Sequence, residues 1–217
     1  MQAPEPLLQR LATVPGMDSG RRRLVVLLPQ LGDFDSLEYA QALVPVLPQL
    51  AAAQLELLAI GIGNAAGADR FCRFTGFPRE RLLVEGEPAL HRALGLYAGL
   101  EVPGGAWPGL LLMCAGIGSP GTLAEVLRGY SGDRTAALRP FELATVRLRN
   151  MVEVLGAWRT YVPSDDFITQ RGGTYLLESD DSLLYSYRDP GILGFSATMA
   201  EPLRFLAPYL HPSPGQP

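Results

Sequence analysis

Short apolar runs alternate with stretches of helical periodicity along the first half of the chain. The apolar runs occupy residues 24–28, 55–63 and 81–86. Short runs of this kind are typical of strands in a parallel sheet that is covered on both faces. The periodic stretches predict helices over residues 35–53, 64–76 and 87–97. Pro45 and Pro48 fall inside the first of these helices and predict a kink or a break there.

The rhythm changes after residue 97 and again near residue 170. Residues 98–165 contain a Gly/Pro-rich stretch followed by helical patterns, which predict a largely helical insertion. Two strands then flank a turn at Asp180–Asp181, and a last helix is predicted from Ala197 to about Tyr209. A Pro-rich tail at 211–217 is expected to be disordered.

This order of elements predicts the fold. A parallel β-α-β-α-β-α half, an antiparallel hairpin and a closing helix form the thioredoxin arrangement. We therefore predict an α/β protein with a thioredoxin-like fold, in which a central mixed sheet has helices on both faces. The prediction is one domain over residues 1–217, with the helical insertion at 98–165 inside it.

Composition narrows the chemistry. Of 217 residues, 47% are apolar and 18% are charged, and the net charge of −4 does not favour nucleic-acid binding. All 18 basic residues are Arg, which excludes mechanisms that need a Lys amine. The two His and two Cys residues offer little to a metal site or a Ser-His-Asp triad, so no metal and no cofactor are expected. No apolar run reaches the ~18 residues of a membrane helix, and we expect a soluble cytoplasmic protein.

A glycine pattern offers a small-molecule or nucleotide site as one alternative. Gly61-x-Gly63-x-x-Ala66 follows a strand and opens a helix, and Glu85 lies where a ribose-binding acid would be expected. The simpler explanation is that these glycines allow the strand and the helix to pack closely, and we favour it.

The cysteines offer a thiol enzyme as a second alternative. Cys72 lies on a predicted helix between Arg70 and Arg73, and neighbouring cations lower the pKa of a thiol. The competing explanation is a structural thiol between two phenylalanines. Cys114 lies in an apolar run, so we expect it to be buried and inert.

An amphipathic stripe runs from Phe141 to Trp158, with arginines on its other face. Such a helix suits an anionic membrane surface or a protein partner. Glu142 and Glu153 dilute the positive charge, so we favour a helix that packs its apolar face against the core.

The turn after the first strand reads "GDFDSLEYA" and carries acids where many folds place their chemistry. Asp35 followed by Glu38 fits a capping box, in which Asp35 accepts the first amide hydrogens of the helix. Asp33 and Ser36 have no such structural explanation in the sequence.

The stretch "QRGGTYLLESDDSLLYSYRD", together with the order of elements, resembles the peroxiredoxins. It is most similar to the peroxiredoxin-like (AhpC/TSA-type) branch of the thioredoxin superfamily. The amino-acid sequence of the insertion resembles that of cyanobacterial members of this branch. The resemblance covers about residues 20–97 and 170–210. The matching positions are Gly172, Gly173, Tyr175, Leu177, Leu184, Tyr185, Arg188 and Asp189.

The resemblance implies a Cys-x-x-Cys motif at the turn, where the first thiol attacks a peroxide and the second resolves the product. Asp33 stands at the first cysteine position and Ser36 at the second. Neither side chain can perform that chemistry. The resemblance also aligns Arg171 with the arginine that supports the reacting cysteine. One hypothesis is that Arg171 pairs with Asp33, and the alternative is that it is a surface residue at the start of a strand.

These implications predict a redox-inactive protein that acts as a binding, structural or regulatory module. An unidentified protein partner is expected to bind through residues 98–165. The sequence leaves the oligomeric state open.

Overall fold

The computed structural model describes residues 1–17, 20–119, 144–192, 194–197 and 201–210. Its strands are β1 (Arg22–Gln30), β2 (Leu55–Ile62), β3 (Leu82–Glu85), β4 (Gly173–Leu177) and β5 (Leu183–Arg188). Its α-helices are α1 (Glu5–Leu11), α2 (Phe34–Leu43), α3 (Leu47–Ala52), α4 (Ala65–Thr75), α5 (Ala89–Ala93), α6 (Ala106–Cys114), α7 (Ala144–Gly156) and α8 (Trp158–Tyr161).

The five strands form one mixed sheet in the order β3-β2-β1-β4-β5. β1, β2 and β3 are parallel, whereas β4 lies antiparallel to both β1 and β5. The fold is therefore α/β with a thioredoxin-like arrangement, which confirms the predicted fold class.

The central strand β1 is apolar on both sides because helices cover both faces of the sheet. Leu24 and Val26 point into a core that includes side chains of α2, α4, α7 and α8. Val25 and Leu27 point into the opposite core, which includes side chains of α1 and α5. Successive strand residues face opposite sides, so one short sequence builds two cores.

The predicted break in the first long helix is confirmed. α2 ends at Leu43, a 3₁₀ turn spans Val44–Val46, and α3 starts at Leu47. The helix predicted over 64–76 is also present, with an Asn64 cap at its start and Gly76 at φ 79° at its end.

The closing helix differs from its prediction. Ala197 lies in a bend, and the regular element that follows among the described residues is a 3₁₀ helix over Arg204–Tyr209. Pro202 and Pro208 explain this difference, because proline lacks the amide hydrogen that an α-helix needs. The predicted disordered tail at 211–217 lies outside the described residues.

The amphipathic helix predicted from Phe141 to Trp158 also packs differently from its prediction. Its first residue, Phe141, lies outside the described residues. α7 buries Asn150 and Val154, while three residues of the predicted apolar face are exposed: Leu148, Val152 and Leu155. The side of α7 that faces α2 is partly polar: the Asn150 and Gln41 amides exchange two hydrogen bonds of 3.1 and 3.2 Å between the two helices. These bonds give Asn150 hydrogen-bond partners in its buried position, which an apolar face would not need.

No helix in the described parts of the chain is long and apolar enough to cross a membrane.

Candidate functional site

The candidate site is the turn that joins β1 to α2. β1 ends at Gln30 and α2 begins at Phe34, so Asp33 occupies the cap position. Its carboxylate Oδ1 accepts the Ser36 amide at 3.2 Å. The capping box predicted at Asp35 is therefore wrong by two residues. The helix starts earlier than the sequence suggested, which places Asp35 within its first turn.

Arg171 reaches this turn from the start of β4. Its Nη2 donates to Asp33 Oδ2 at 2.8 Å, with the Arg171 side chain 1% exposed and that of Asp33 16% exposed. The expected ion pair is present. The pairing of Gly173 with Leu27 in the antiparallel ladder brings Arg171 to the end of β1, where Asp33 lies.

The Arg171 guanidinium is held by further contacts. Its Nε donates to the carbonyl oxygens of Gln170 at 3.0 Å and Thr169 at 3.3 Å, and Asp189 Oδ2 lies 3.9 Å from Nη1. Burial favours a lower pKa for Arg171, but the charges of Asp33 and Asp189 outweigh it and raise the pKa. The guanidinium is therefore a fixed, buried cation.

The glycine after Arg171 allows this approach. A Cβ atom at Gly172 would lie 2.0 Å from the Leu27 carbonyl oxygen and 2.7 Å from the Phe195 ring. A larger residue would push β4 away from β1 and move Arg171 out of reach of Asp33.

Ser36 is fully buried in α2, and its Oγ has no hydrogen-bond partner among the described residues. Its link to the site is its backbone amide, which Asp33 caps. The structure thus links Ser36 to the Asp33–Arg171 pair through this amide, and the role of these residues as a former active site stays a prediction.

Cys72 lies away from this cluster, on the buried side of α4 that faces the core. Burial raises the pKa of its thiol to about 11, and the charge of Arg79 offsets this only in part. The lowering by Arg70 and Arg73 that the thiol-enzyme alternative needs is absent, which favours the structural explanation. Arg70 instead pairs with Glu153 at 2.6 Å.

Cys114 is exposed at the last position of α6, so its predicted burial is wrong. The apolar run that contains it forms a helix that buries Gly109 and Met113 and packs Ala106 and Leu110 partly against the core, whereas Leu111 and Cys114 are exposed. The sequence could not reveal this, because every face of the run is apolar.

A cavity of about 250 Å³ opens beside the Asp33 turn, and we call it the turn cavity. One end is polar, with Gln30, Asp33 and Asp35, and the rest is largely apolar. The remaining lining residues are Gly32, Phe34, Trp107, Leu110, Cys114, Leu155, Trp158, Val162, Ile168 and Ile192. The Trp107 and Trp158 rings lie 5.3 Å apart between centroids and form an aromatic wall.

A family model described as AhpC/TSA antioxidant enzyme matches residues 42–191, or 150 of the 217 residues. The chain belongs to this family. No curated protein and no solved structure matches it. The match includes Arg171 and runs through residues 98–165, but it begins after Asp33 and Ser36. The alignment of those two residues with the cysteines implied by the AhpC/TSA resemblance therefore stays a prediction.

The glycine turn of this AhpC/TSA member is filled by protein atoms. A Cβ at Gly61 would lie 2.7 Å from Leu31 Cδ2, and one at Gly67 would lie 2.6 Å from the Thr160 carbonyl oxygen. The predicted ribose-binding acid, Glu85, pairs with Arg10 at 2.8 Å. These contacts favour the close-packing explanation over a nucleotide site.

Within the described residues, no three His, Cys, Asp or Glu side chains lie close enough to hold a metal ion.

Proposed function

We propose that this AhpC/TSA family member is a binding protein that does not reduce peroxides at its Asp33 turn. The proposal rests on one observation, the buried Asp33–Arg171 pair at the start of α2. A carboxylate has no thiol to oxidise, and a serine hydroxyl cannot resolve a sulfenic acid.

The electrostatics support this proposal. A helix N-terminus and an arginine are the surroundings that stabilise a reactive thiolate. Here both surround the Asp33 carboxylate, since it accepts hydrogen bonds from the Ser36 amide at the helix start and from the Arg171 guanidinium. The turn keeps a stabilised negative charge and has exchanged a reactive atom for an inert one.

Steady-state peroxide consumption tests this proposal. The protein is incubated with hydrogen peroxide or an organic hydroperoxide and excess dithiothreitol, beside a Cys72→Ser/Cys114→Ser double variant as the thiol-free control. Both proteins should consume peroxide no faster than buffer with dithiothreitol alone. A rate above that background in the thiol-free variant would overturn the claim about the turn, and a faster rate in the wild-type chain alone would overturn the binding role.

Thiol chemistry at Cys114 is the second candidate, because this thiol is exposed and lines the turn cavity. It replaces the earlier Cys72 alternative, since burial keeps Cys72 protonated. The Asp33 and Asp35 carboxylates of the same cavity, and the position at a helix C-terminus, disfavour a Cys114 thiolate. Turnover that Cys114→Ser abolishes and Cys72→Ser preserves would favour this candidate over the first.

We further propose that residues 98–165, viewed as an insertion in a single domain, bind a protein partner. The observation in favour is the apolar face of α7, where Leu148, Val152 and Leu155 are 61%, 66% and 60% exposed. Val152→Glu should abolish capture of such a partner, while Arg79→Glu, on another surface, should preserve it. Equal capture by both variants would count against this role.

A cytoplasmic location stays a prediction.

A further inference from the structure

We propose that the outward face of α6 binds the surface of an electrically neutral lipid bilayer. This inference goes beyond the proposed function, because it assigns a second surface and a lipid, whereas the proposed protein partner binds at α7. We call this surface the α6 face. Its members lie on one side of the helix and on the turn after it, and all are exposed: Trp107, Leu111, Cys114, Ala115 and Ile117.

Helical spacing makes the α6 face a continuous stripe. Trp107, Leu111 and Cys114 follow one another at intervals of four and three residues, which places them on one side of an α-helix. The opposite side carries Gly109 and Met113, which are buried. On the outward side, Trp107 is 43% exposed and Leu111 is 66% exposed. α6 is therefore anchored in the protein by one side and turns an apolar side outwards.

The α6 face has the chemistry of a surface that contacts hydrocarbon. The sequence has no charged residue from 102 to 119. The face also offers few hydrogen-bonding groups, because the Trp107 indole interacts with the Asp165 carboxylate and the other large side chains are aliphatic. Protein interfaces carry about one hydrogen bond per 100–200 Å², whereas lipid chains need none. Tryptophan suits the boundary of such a contact, since it is enriched where membranes meet water.

The size of the α6 face disfavours a second copy of the chain as its occupant. α6 has nine residues, so it is about 14 Å long and about 10 Å wide. One side of such a helix is a small part of the ~800 Å² that each partner contributes to a stable interface. A bilayer needs no matching shape, because its binding strength scales with the apolar area that enters it.

The charges around the face favour a neutral lipid over an anionic one. Asp165, which interacts with Trp107, is paired with Arg159 at 2.9 Å, so this border is compensated. Glu101, the charged residue nearest to α6 in the sequence, is acidic, and the whole chain has a net charge of −4. Anionic lipids attract polybasic segments, which residues 102–119 do not provide. Binding should therefore depend on apolar burial and not on ion pairs.

Cosedimentation of the full chain with phosphatidylcholine vesicles tests the lipid and its charge. The protein should bind these neutral vesicles, and NaCl at about 1 M should not weaken binding, because it screens only charge interactions. Replacing part of the lipid by phosphatidylglycerol should not strengthen binding. A protein that stays unbound at millimolar neutral lipid, or that binds only when the anionic lipid is present, would overturn the inference.

Two glutamate variants locate the contact. Leu111 and Val152 are each 66% exposed, so Leu111→Glu and Val152→Glu should both leave the core intact. Val152 lines the groove between α7 and α4 with Arg70 and Phe74, away from the turn cavity that Trp107 lines. Vesicle binding should fall at least about tenfold in Leu111→Glu, because a charged group is costly to place in hydrocarbon, and stay unchanged in Val152→Glu. Equal effects of the two variants would contradict a contact through α6.

Tryptophan fluorescence provides an independent readout. The chain has two tryptophans, so Trp158→Phe leaves Trp107 as the sole reporter. Neutral vesicles should shift the Trp107 emission to shorter wavelength, and lipids with a quencher on the acyl chain should quench it. An unchanged spectrum at lipid concentrations that sediment the protein would contradict insertion of the α6 face.

Analytical ultracentrifugation without lipid tests the alternative occupant. A dimer that Leu111→Glu dissociates would identify a second copy of the chain on the α6 face and overturn the inference. The outcomes are separate from the peroxide assay: a lack of vesicle binding removes this inference alone, and peroxide turnover removes the proposed function alone.

Discussion

Replacing Arg171 by methionine should destabilise the fold more than any single exposed ion-pair substitution. Methionine keeps much of the side-chain length and removes the charge. The Arg171 side chain is 1% exposed and donates to Asp33 at 2.8 Å. It also donates to the backbone carbonyl oxygens of Thr169 and Gln170.

The expected magnitude follows from what stays behind. Arg171→Met leaves the Asp33 carboxylate, the buried Asp189 carboxylate near Nη1 and two carbonyl oxygens without this cation. Removing one partner of a buried charge pair costs about 3–5 kcal/mol of unfolding free energy. Arg171→Lys should cost less, because it keeps a charge but loses the planar guanidinium fork.

Urea unfolding followed by circular dichroism measures the free energy of unfolding. The matched control is Arg21→Met. Arg21 forms a 2.8 Å ion pair with Glu56, and its side chain is 65% exposed. That exposed pair should contribute about 1 kcal/mol or less. An Arg171→Met cost no larger than that of Arg21→Met would refute a buried, structural ion pair at the turn.

A double-mutant cycle isolates the pair itself. Asp33→Asn keeps a good helix cap and removes the charge that faces Arg171. Combined with Arg171→Met, it should show a coupling energy of about 1–3 kcal/mol. Strictly additive effects would mean that the two side chains act independently.

Three further predictions concern the thiols, the buried histidine and the glycine turn. Iodoacetamide should alkylate the exposed thiol of Cys114 in the native protein and the buried thiol of Cys72 only after unfolding, as followed by mass spectrometry with peptide mapping. Alkylation of Cys72 before Cys114 would contradict this. Burial lowers the pKa of His91 in the folded protein, so on acidification the unfolded chain takes up the proton first. The free energy of unfolding should therefore fall as the pH drops below about 6.5, by at most about 1.4 kcal/mol per pH unit. His91→Gln should flatten this part of the pH–stability curve, and an identical curve would contradict it. Gly67→Ala should destabilise the fold by about 1–3 kcal/mol, because its Cβ would lie 2.6 Å from the Thr160 carbonyl oxygen; a neutral result by urea unfolding would count against close packing.

The sheet could be predicted because its strands carry their own signals. β1 and β2 are apolar through most of their length, since each is covered on both faces, and the two prolines marked the break after α2. The Asp33–Arg171 pair could be predicted only through the family resemblance, because the two residues lie 138 positions apart.

Three features depended on contacts that local patterns do not encode. The buried side of α7 carries Asn150, whose hydrogen-bond partner Gln41 lies 109 positions away. The exposure of Cys114 follows from how little of α6 reaches the core. The cap position depended on whether Asp33 or Asp35 starts the helix, and the sequence allows both.

The turn cavity could not be predicted from the sequence. Its walls come from the end of β1, from α2, α6, α7 and α8, and from the loops around Ile168 and Ile192. Few of these residues stand out alone. Gln30 gives a local signal, because it is a polar residue that follows the apolar run of β1.

The central claim, that the Asp33 turn performs no peroxide chemistry, is tested most directly by a single-turnover measurement. One equivalent of hydroperoxide is mixed with the fully reduced protein, and the remaining peroxide and the protein mass are followed with time. The account predicts that peroxide decays at the rate of buffer alone and that the protein mass stays unchanged. Rapid loss of peroxide that persists in the Cys72→Ser/Cys114→Ser variant would contradict it.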